Sequence, residues 1–478
     1  MIDAGGTGDM TPEEFRRHAH AAVEWMADYL AGVGELPVLA RVRPGEVAGR
    51  LPESAPAAPE AMEEILADFR ETILPGVTHW NHPGFLAYFA ITGSGPGVLG
   101  EMLAAALNTN AMLWRTGPAQ TELEERTLDW LRQLLGLPGG FFGTIHDTAS
   151  ISTLIAIAAA REAAVPEARE RGMSGLPPLR VYASEEVHSS IDKACITLGL
   201  GRAGIRKIPT DERFRMDPAA LEAAIAEDRT NGILPIAVVA TVGTTSTTSI
   251  DPVPEIADIC ERHRLWLHVD AAYGGSAALV PEMRHVLDGA ERADSLVVNP
   301  HKWMFVPVDC SALYTRRPEV VRAAFSLVPE YLATPEGETV TNLMDYGPAL
   351  GKRFRALKLW MTLRAFGAEG MAARIREHVR LARLFASWVQ GEAGWEVLAP
   401  VPFSLVVFRH RPPGVPEEAV DAHNERLMAA VNESGRAFLS HTRIRGRLAL
   451  RVAVGNLRTD EARLRETWEL LRKAAAGA

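Results

Sequence analysis

Short continuous apolar runs alternate with longer segments of helical periodicity between Gly139 and Arg317. An apolar run of about four to eight residues without polar alternation is typical of a strand that is buried on both faces. Strands that alternate with helices favour parallel pairing, because each helix carries the chain back across the sheet. The pattern therefore predicts an α/β domain with a mainly parallel central sheet covered by helices. Its predicted strands are 180–184, 234–242, 265–269, 294–298 and 311–315.

Helical periodicity also flanks this region on both sides. Thr11, Pro12 and Glu14 form a capping-box pattern, which predicts a helix from residue 12 to about residue 32 with an apolar stripe that needs a partner surface. Further predicted elements are helices at 98–107, 119–135, 151–164 and 351–390, strands at 403–409 and 448–454, and a last helix from 459. We divide the chain into an N-terminal helical arm (1–93), a large central domain (94–363) and a small C-terminal α+β domain (364–478).

Composition and charge narrow the class of protein. The 478 residues are 47% hydrophobic and 23% charged, as in globular proteins, and the net charge of -10 argues against nucleic acid or an anionic membrane as a partner. The first ten residues do not resemble a secretory signal, and no apolar run reaches membrane-spanning length. The 3 cysteines are widely spaced without a metal-ligand pattern, so we expect free thiols, a cytoplasmic location and no bound metal.

Polar segments follow four of the predicted strands at the point where each strand ends. They begin at His188, Gly243, Asp270 and Asn299, and the last of them contains Lys302. Ligands of open α/β sheets bind outside the carboxyl ends of the strands. We therefore expect these four segments to meet in one crevice.

Lys302 is the residue whose chemistry is most specific. It is one of only six lysines among the 50 basic residues, and it stands between a histidine and a tryptophan. A lysine amine condenses with an aldehyde to form a Schiff base, whereas an arginine guanidinium does not. Taken alone, an arbitrary lysine at this place would be interpreted as an ordinary solvated lysine just past a strand.

A second local pattern predicts an anion site. The segment Asp147-Thr148-Ala149-Ser150 precedes an alanine-rich helix, and the first N–H groups of a helix can hold a phosphate. Thr and Ser also serve as plain helix caps, so this pattern is weak by itself.

Together these groups match the needs of pyridoxal 5′-phosphate. Lys302 would bind its aldehyde, the helix start its phosphate, and Asp270 its protonated ring nitrogen. His188 would stack on one face of the ring, and Ala272 would cover the other. Several aromatic side chains between Val77 and Thr92 suit either a pocket wall or core packing; they are Trp80, Phe85, Tyr88 and Phe89.

The chain resembles the group II pyridoxal-dependent decarboxylases, and within them the aromatic-L-amino-acid decarboxylases. The resemblance rests on five segments, VTHW from Val77, TELE from Thr121, HVDAAYGG from His268, NPHKW from Asn299 and ALGKRFRALKLW from Ala349. It implies the type I, aspartate aminotransferase-like fold, and a homodimer with its active sites at the subunit interface, across which the N-terminal helix would swap. It also implies decarboxylation of an aromatic L-amino acid (phenylalanine, tryptophan, tyrosine or DOPA) to the amine and CO2.

The resemblance assigns roles to individual residues. Lys302 would form the Schiff base, Asp270 would face the pyridine nitrogen, and His188 would contact both cofactor and substrate. Tyr331, in a loop rich in Pro, Gly and acidic residues, would help to protonate the substrate's α-carbon. The remaining implied cofactor contacts are Thr148, Ala149, Ser150, Asn299 and His301 on the phosphate side, with Thr245 near the ring.

The chain departs from the family pattern at two places. Asp147 and Ile151 replace a Gly and a Glu beside the phosphate-binding residues, so a carboxylate stands next to the predicted phosphate. Ile91 and Met112 replace a polar and an aromatic position of the substrate pocket, whose other predicted members are Trp80, Tyr88, Phe89 and His188. From the pocket replacements we predict a preference for phenylalanine or tryptophan over DOPA.

Three alternatives remain at this stage. An aromatic aldehyde synthase of the same family would also oxidise the substrate and release ammonia, but such relatives tend to lose the loop tyrosine or the stacking histidine. A decarboxylase of an acidic amino acid would need a cation in the pocket, and residues 80–92 contain no Arg or Lys. A cofactor-free dimeric scaffold would have no reason to keep Lys302, Asp270 and His188.

Overall fold

The computed structural model describes residues 9–89, 91–327 and 339–477. Its helices are α1 (Pro12–Gly32), α2 (Met62–Asp68), α3 (Gly95–Leu107), α4 (Pro118–Leu134), α5 (Ala149–Ala164), α6 (Ala168–Arg171), α7 (Ser190–Thr197), α8 (Pro218–Thr230), α9 (Val253–His263), α10 (Pro300–Trp303), α11 (Pro318–Phe325), α12 (Arg355–Gly391), α13 (Glu417–Glu433) and α14 (Glu461–Gly477). Its strands are β1 (Phe142–His146), β2 (Leu179–Ser184), β3 (Ile205–Ile208), β4 (Leu234–Thr241), β5 (Trp266–Asp270), β6 (Ser295–Val298), β7 (Ser311–Thr315), β8 (Trp395–Val397), β9 (Leu405–His410), β10 (Ser440–Ile444) and β11 (Arg447–Ala453).

The central sheet has seven strands in the order β1-β7-β6-β5-β4-β2-β3. The five predicted strands are all present, with ends that differ from the prediction by at most one residue. Strands β2 to β6 run parallel, as expected for an α/β sheet, whereas β7 is antiparallel to both of its neighbours. The mainly parallel sheet of the type I fold is therefore confirmed.

Both faces of this sheet are buried, which explains the continuous apolar runs. In β4, Val238 and Ala240 belong to a core cluster that also contains residues of α4, α8, α9 and α12. The intervening Ala237 and Val239 belong to a second cluster, formed with α5, α7 and α11. Because successive strand side chains point to opposite faces, a strand between two helical layers has to be apolar at every position.

A second, antiparallel sheet of four strands, β10-β11-β9-β8, lies in the C-terminal part and has a core cluster of its own. Helix α12 connects the two parts and bends at Gly367, whose φ of 63° and ψ of 171° are not helical. The predicted boundary after residue 363 falls inside this helix, close to the bend.

The N-terminal helix begins with the predicted capping box. The Thr11 hydroxyl accepts a hydrogen bond from the Glu14 N–H at 3.2 Å, and the Glu14 carboxylate accepts one from the Thr11 N–H at 3.0 Å. None of the residues of α1 is fully buried, and Phe15 is 62% exposed. None of the described helices combines the length and apolar character needed to cross a bilayer.

Candidate active site

A cavity of about 200 Å³ lies at the carboxyl ends of β4, β5 and β6. Every residue predicted to hold the cofactor lines it, as do Phe89, Ser190, Thr241, Gly243 and Tyr273; the predicted ones are Thr148, Ala149, Ser150, His188, Thr245, Asp270, Ala272, Asn299, His301 and Lys302. The topology explains this meeting, since adjacent parallel strands end at the same edge of the sheet. Typical ligand pockets measure roughly 300–1,000 Å³, so this cavity suits a compact group.

Lys302 lies in the one-turn helix α10, directly after β6. Pro300 begins this turn, and the Lys302 N–H donates to the Asn299 carbonyl at 2.9 Å, which fixes the backbone of the lysine. Burial lowers the pKa of Lys302, and the nearby Asp270 carboxylate opposes this effect. A lowered pKa favours the neutral amine, which is the form that attacks an aldehyde.

Asp270 ends strand β5 and is 6% exposed. Its carboxylate accepts a hydrogen bond from the Ala272 N–H at 3.1 Å, which turns the chain away from the strand. His268 lies two residues earlier, on the same face of the strand, and its pKa is lowered to about 4 by burial. A neutral histidine therefore stands behind Asp270, and the carboxylate is free to face a cation in the cavity.

His188 follows β2 in the chain and is held by the start of α7. Its Nδ1 accepts a hydrogen bond from the Ser190 N–H at 3.2 Å, so the neutral ring carries its proton on Nε2. Burial is the main cause of its lowered pKa, and the charge of Lys302 adds to the effect. His188 therefore offers the cavity a flat ring and one N–H donor.

The start of α5 supplies free N–H groups. Asp147 accepts a hydrogen bond from the Thr148 N–H at 2.6 Å, so its carboxylate turns back onto the chain. Among the described residues, the N–H groups of Ala149 and Ser150 have no hydrogen-bond partner, and Thr148 makes no side-chain cap. The positive end of this helix is thus open to an anion.

Asn299 and His301 complete the same end of the cavity. The His301 Nδ1 accepts a hydrogen bond from the Cys310 N–H at 2.8 Å, so a neutral His301 carries its proton on Nε2. That Nε2 lies 3.3 Å from the Asn299 side-chain amide, and because it carries the proton it donates to the amide oxygen. The buried amide end without a partner is then the NH₂ group, a donor to whatever fills the cavity.

These residues fit pyridoxal 5′-phosphate. A lysine of lowered pKa, a carboxylate, an open helix start and an unsatisfied buried amide lie around one compact space. Buried polar groups are normally hydrogen-bonded, so the free end of the Asn299 amide suits a ligand group that accepts a hydrogen bond.

The predicted substrate residues are not all brought to this cavity. Phe89 lines it, with its ring centroid 5.6 Å from the Lys302 Nζ. Trp80 instead stacks on Tyr88, with their centroids 5.9 Å apart, and Tyr88 is 51% exposed. Met112 packs beside Leu113 and Met344, and Ile91 is half-buried outside the cavity lining. Tyr331 lies outside the described residues.

Three residues near the cavity escaped the sequence reasoning. Thr241 ends β4 with a buried hydroxyl that has no partner among the described residues, and Tyr273 stacks on Phe89 at 3.9 Å. Thr241 lies close to Thr245 in the chain and Tyr273 lies close to Asp270, so the sequence could have indicated that both residues belong to the site. Arg451 comes from β11 of the small sheet, and no local pattern marks it.

Arg451 corrects one step of the sequence argument. Its guanidinium lies 5.4 Å from the Phe89 centroid and donates to the Thr245 carbonyl at 2.8 Å. A cation therefore does lie beside the pocket wall, although residues 80–92 contain none.

The comparison with known proteins agrees with this geometry. A family described as "Pyridoxal-dependent decarboxylase conserved domain" matches residues 44–411. The chain belongs to this family. As a pyridoxal-dependent decarboxylase it is a carboxy-lyase whose cofactor is pyridoxal 5′-phosphate, and these two sequence predictions are confirmed.

Individual relatives extend over almost the whole chain. An aromatic-L-amino-acid decarboxylase from Catharanthus roseus is 40% identical and covers 96% of this chain and 93% of its own. A phenylacetaldehyde synthase from Arabidopsis thaliana is 39% identical, covering 98% and 97%. The crystal structure of Oryza sativa TDC with PLP and tryptamine is 38% identical and superposes with a TM-score of 0.95 over 99% of both chains.

Proposed function

We propose that this decarboxylase converts an aromatic L-amino acid, namely phenylalanine, tryptophan, tyrosine or DOPA, to the corresponding amine and CO2. The observation that carries the proposal is the grouping of Lys302, Asp270 and His188 around one cavity whose wall includes the Phe89 ring. Relatives that are tryptophan, tyrosine and aromatic-L-amino-acid decarboxylases support the substrate class.

Each cavity residue has a task in the proposed reaction. Bound pyridoxal 5′-phosphate supplies an aldehyde and a protonated ring that accepts the electron pair left by CO2. Lys302 would hold the cofactor covalently and release it to the substrate amine, and Asp270 would keep the proton on the ring nitrogen. His188 would cover the ring, and its Nε2–H would donate to the bound substrate. Thr148, Ala149, Ser150 and Asn299 hold the phosphate, with His301 fixing the Asn299 amide.

We also propose which aromatic substrates the enzyme prefers, from the residues of the predicted pocket. Ile91 and Met112 offer no hydrogen-bond partner to ring hydroxyls, so we expect kcat/KM to be higher for phenylalanine or tryptophan than for DOPA. A substrate panel with amine detection measures this preference, and equal turnover of DOPA and phenylalanine at equal concentrations would contradict it.

An aldehyde synthase is the second candidate, because the phenylacetaldehyde synthase is nearly as similar as the decarboxylases. Assays for hydrogen peroxide and ammonia distinguish the two activities, since a decarboxylase releases neither in step with CO2. A decarboxylase of acidic amino acids is tested in the same panel with glutamate, for which Arg451 is the nearest cation that we identify beside the pocket wall.

We further propose that the protein is a cytoplasmic homodimer. Each subunit would consist of a helical arm (1–93), a large domain (94–363) and a small domain (364–478), and the two subunits would exchange their arms. The exposed side chains of α1, including Phe15 at 62% and Val23 at 41%, support this arrangement because they leave an apolar stripe uncovered. Sedimentation of the full chain tests whether it is a dimer. In the dimer we expect four residues to complete the substrate pocket, namely Trp80, Tyr88, Ile91 and Met112.

A further inference from the structure

Asp147 places a carboxylate at the start of α5, next to Thr148 at the phosphate end of the cavity. It stands directly before Thr148, and its Oδ1 accepts the Thr148 N–H at 2.6 Å and the Thr148 hydroxyl at 3.4 Å. These bonds hold the carboxylate at the entry to α5, beside the free N–H groups of Ala149 and Ser150. A phosphate monoester carries about two negative charges near neutral pH, so Asp147 repels the group that this helix start attracts.

A buried lysine, Lys352, contacts α4 through Gln120, and Glu124 of the same helix accepts the Ile145 N–H two residues before Asp147. Lys352 is 7% exposed and forms no ion pair in the part of the chain that the structure describes. Its backbone is fixed on both sides, because its N–H donates to Asn110 at 2.9 Å and its carbonyl accepts from Gln120 at 2.9 Å. Burial lowers the pKa of Lys352, and the carboxylates of Glu124 and Asp147 oppose that shift.

The other cation of this region is already neutralised. Arg355 donates to both oxygens of Asp309, at 2.7 Å and 3.2 Å. Lys352 is therefore the cation near Asp147 that has no ion pair among the described residues, and it lies near the carboxylate of Glu124 as well. A buried cation without an ion-pair partner is costly unless a nearby negative group compensates it.

We propose that Asp147 weakens the binding of the cofactor's phosphate and that Lys352 partly offsets this repulsion, so that a charge balance in this chain sets its affinity for pyridoxal 5′-phosphate. The inference rests on the cofactor of the family and not on the identity of the substrate. It predicts an enzyme whose occupied fraction follows the concentration of the cofactor, because each unfavourable charge raises the dissociation constant.

Two variants isolate the two charges. Asp147→Asn removes the charge but keeps an oxygen that can accept the Thr148 N–H, and Lys352→Met removes the ammonium while keeping an unbranched apolar chain. Asp294→Asn is the matched control, since its carboxylate also accepts a backbone N–H, that of Leu267 at 2.9 Å, but stands at the amino end of β6.

The test is a titration of cofactor-depleted protein, followed by absorbance, with pyridoxal 5′-phosphate and with pyridoxal, which lacks the phosphate. We expect Asp147→Asn to tighten binding of the phosphorylated form about three- to tenfold, and Lys352→Met to weaken it by a similar factor. Binding of pyridoxal should stay unchanged in both. The double variant should bind nearly as the wild type does, and added salt should shrink each difference.

Several results would overturn the inference. Asp147→Asn could leave the affinity for pyridoxal 5′-phosphate unchanged, weaken it, or alter pyridoxal binding equally, and each outcome contradicts a repulsion of the phosphate. An equal response of Asp294→Asn would do the same. If Lys352→Met does not fold, as judged by circular dichroism, the Asp147→Asn titration decides alone. If the wild type binds neither ligand, the cofactor assignment itself is wrong.

Discussion

Buried charges are paired at the amino edge of the central sheet, where its parallel strands begin, and unpaired at the carboxyl edge, where they end. At the amino edge, Asp228 is 3% exposed and accepts hydrogen bonds from the Tyr182 hydroxyl at 2.8 Å and from Arg206 at 3.0 Å, with Arg180 at 3.2 Å. At the carboxyl edge, Lys302 and Asp270 lie in one cavity but form no ion pair with each other or with another described residue.

The difference separates charges that stabilise the fold from charges that are available for chemistry. A buried carboxylate with three hydrogen-bond or ion-pair partners stabilises the fold, and its removal leaves those partners unsatisfied. A lysine and a carboxylate that share a cavity without pairing can each bind a different part of a ligand. We therefore expect substitutions at the carboxyl edge to change turnover and substitutions at the amino edge to change stability.

Lys302→Ala should give the largest effect. Without the amine no covalent link to the cofactor can form, so amine production should fall by at least about 10³-fold. The purified variant should also lose the yellow colour of the bound cofactor, which absorbance detects. Lys207→Ala is the matched control, because Lys207 is paired with Asp192 at 2.8 Å and lies on the edge strand β3. A Lys302→Ala enzyme that still forms the amine would contradict the assignment of the chemistry to the carboxyl edge.

Asp270→Asn should lower kcat by about 10²-fold, since an amide cannot keep the proton on the ring nitrogen. The amide oxygen can still accept the Ala272 N–H, so the urea midpoint should stay close to that of the wild type. Steady-state kinetics and urea unfolding measure the two quantities. A variant that loses stability but keeps its turnover would reverse the roles that we assign to the two edges.

Asp228→Asn is the corresponding change at the amino edge. It removes the charge that faces Arg180 and Arg206, and we expect it to reduce the free energy of unfolding by about 3 kcal/mol. The kcat/KM of the folded variant should remain within about twofold of the wild type. Urea unfolding checks the first expectation, and a kcat/KM that falls as far as in Asp270→Asn would contradict the second.

Glu124→Gln should give a smaller, pH-dependent effect. Burial raises the pKa of Glu124 to about 7, although the Ile145 N–H, which it accepts at 2.8 Å, favours ionisation. The folded protein holds this proton more tightly than the unfolded chain, so Glu124 stabilises the fold below pH 4.5 and loses this contribution as the pH rises through about 7. Glutamine does not titrate. The variant should therefore gain about 2 kcal/mol relative to the wild type between pH 5 and pH 8.

Urea unfolding of the cofactor-depleted protein at the two pH values measures that gain. Glu227→Gln serves as the control, because Glu227 pairs with Arg206 on the surface and should show little change with pH. A difference between Glu124→Gln and wild type that is the same at both pH values would show that Glu124 is ionised throughout.

The strand-end chemistry could be predicted because topology determines it. Lys302, Asp270 and His188 each follow a buried apolar run, and parallel strands bring such positions to one edge whatever the details of packing. Short strands without such a run were missed. In β3 the sequence Ile205-Arg206-Lys207-Ile208 has two cations in its middle, and in β10 only the two ends, Ser440 and Ile444, are buried.

Contacts between distant segments could not be predicted. Arg451 reaches Phe89 and Thr245 from another sheet, and nothing in its own neighbourhood marks it as part of the site. The direction of the Asp147 side chain was also open, because it depends on the hydrogen bond that the carboxylate accepts from the Thr148 N–H. The roles of Trp80, Tyr88, Ile91, Met112 and Tyr331 stay predictions.

The alignment of the two sheets depends on one backbone torsion, the φ angle of Gly367 at the bend of α12. A side chain at Gly367 would meet no atom within 4 Å, so space does not exclude other residues there; the positive φ of 63° does. From Gly367 the helix runs on for about 36 Å, at roughly 1.5 Å per residue, so a change of about 5° would carry its far end about 3 Å sideways. That is as large as the 2.8 Å bond by which Arg451 holds Thr245. The backbone torsion of Gly367 thus determines where the Arg451 guanidinium lies relative to the pocket wall, although a side chain at Gly367 would contact no atom.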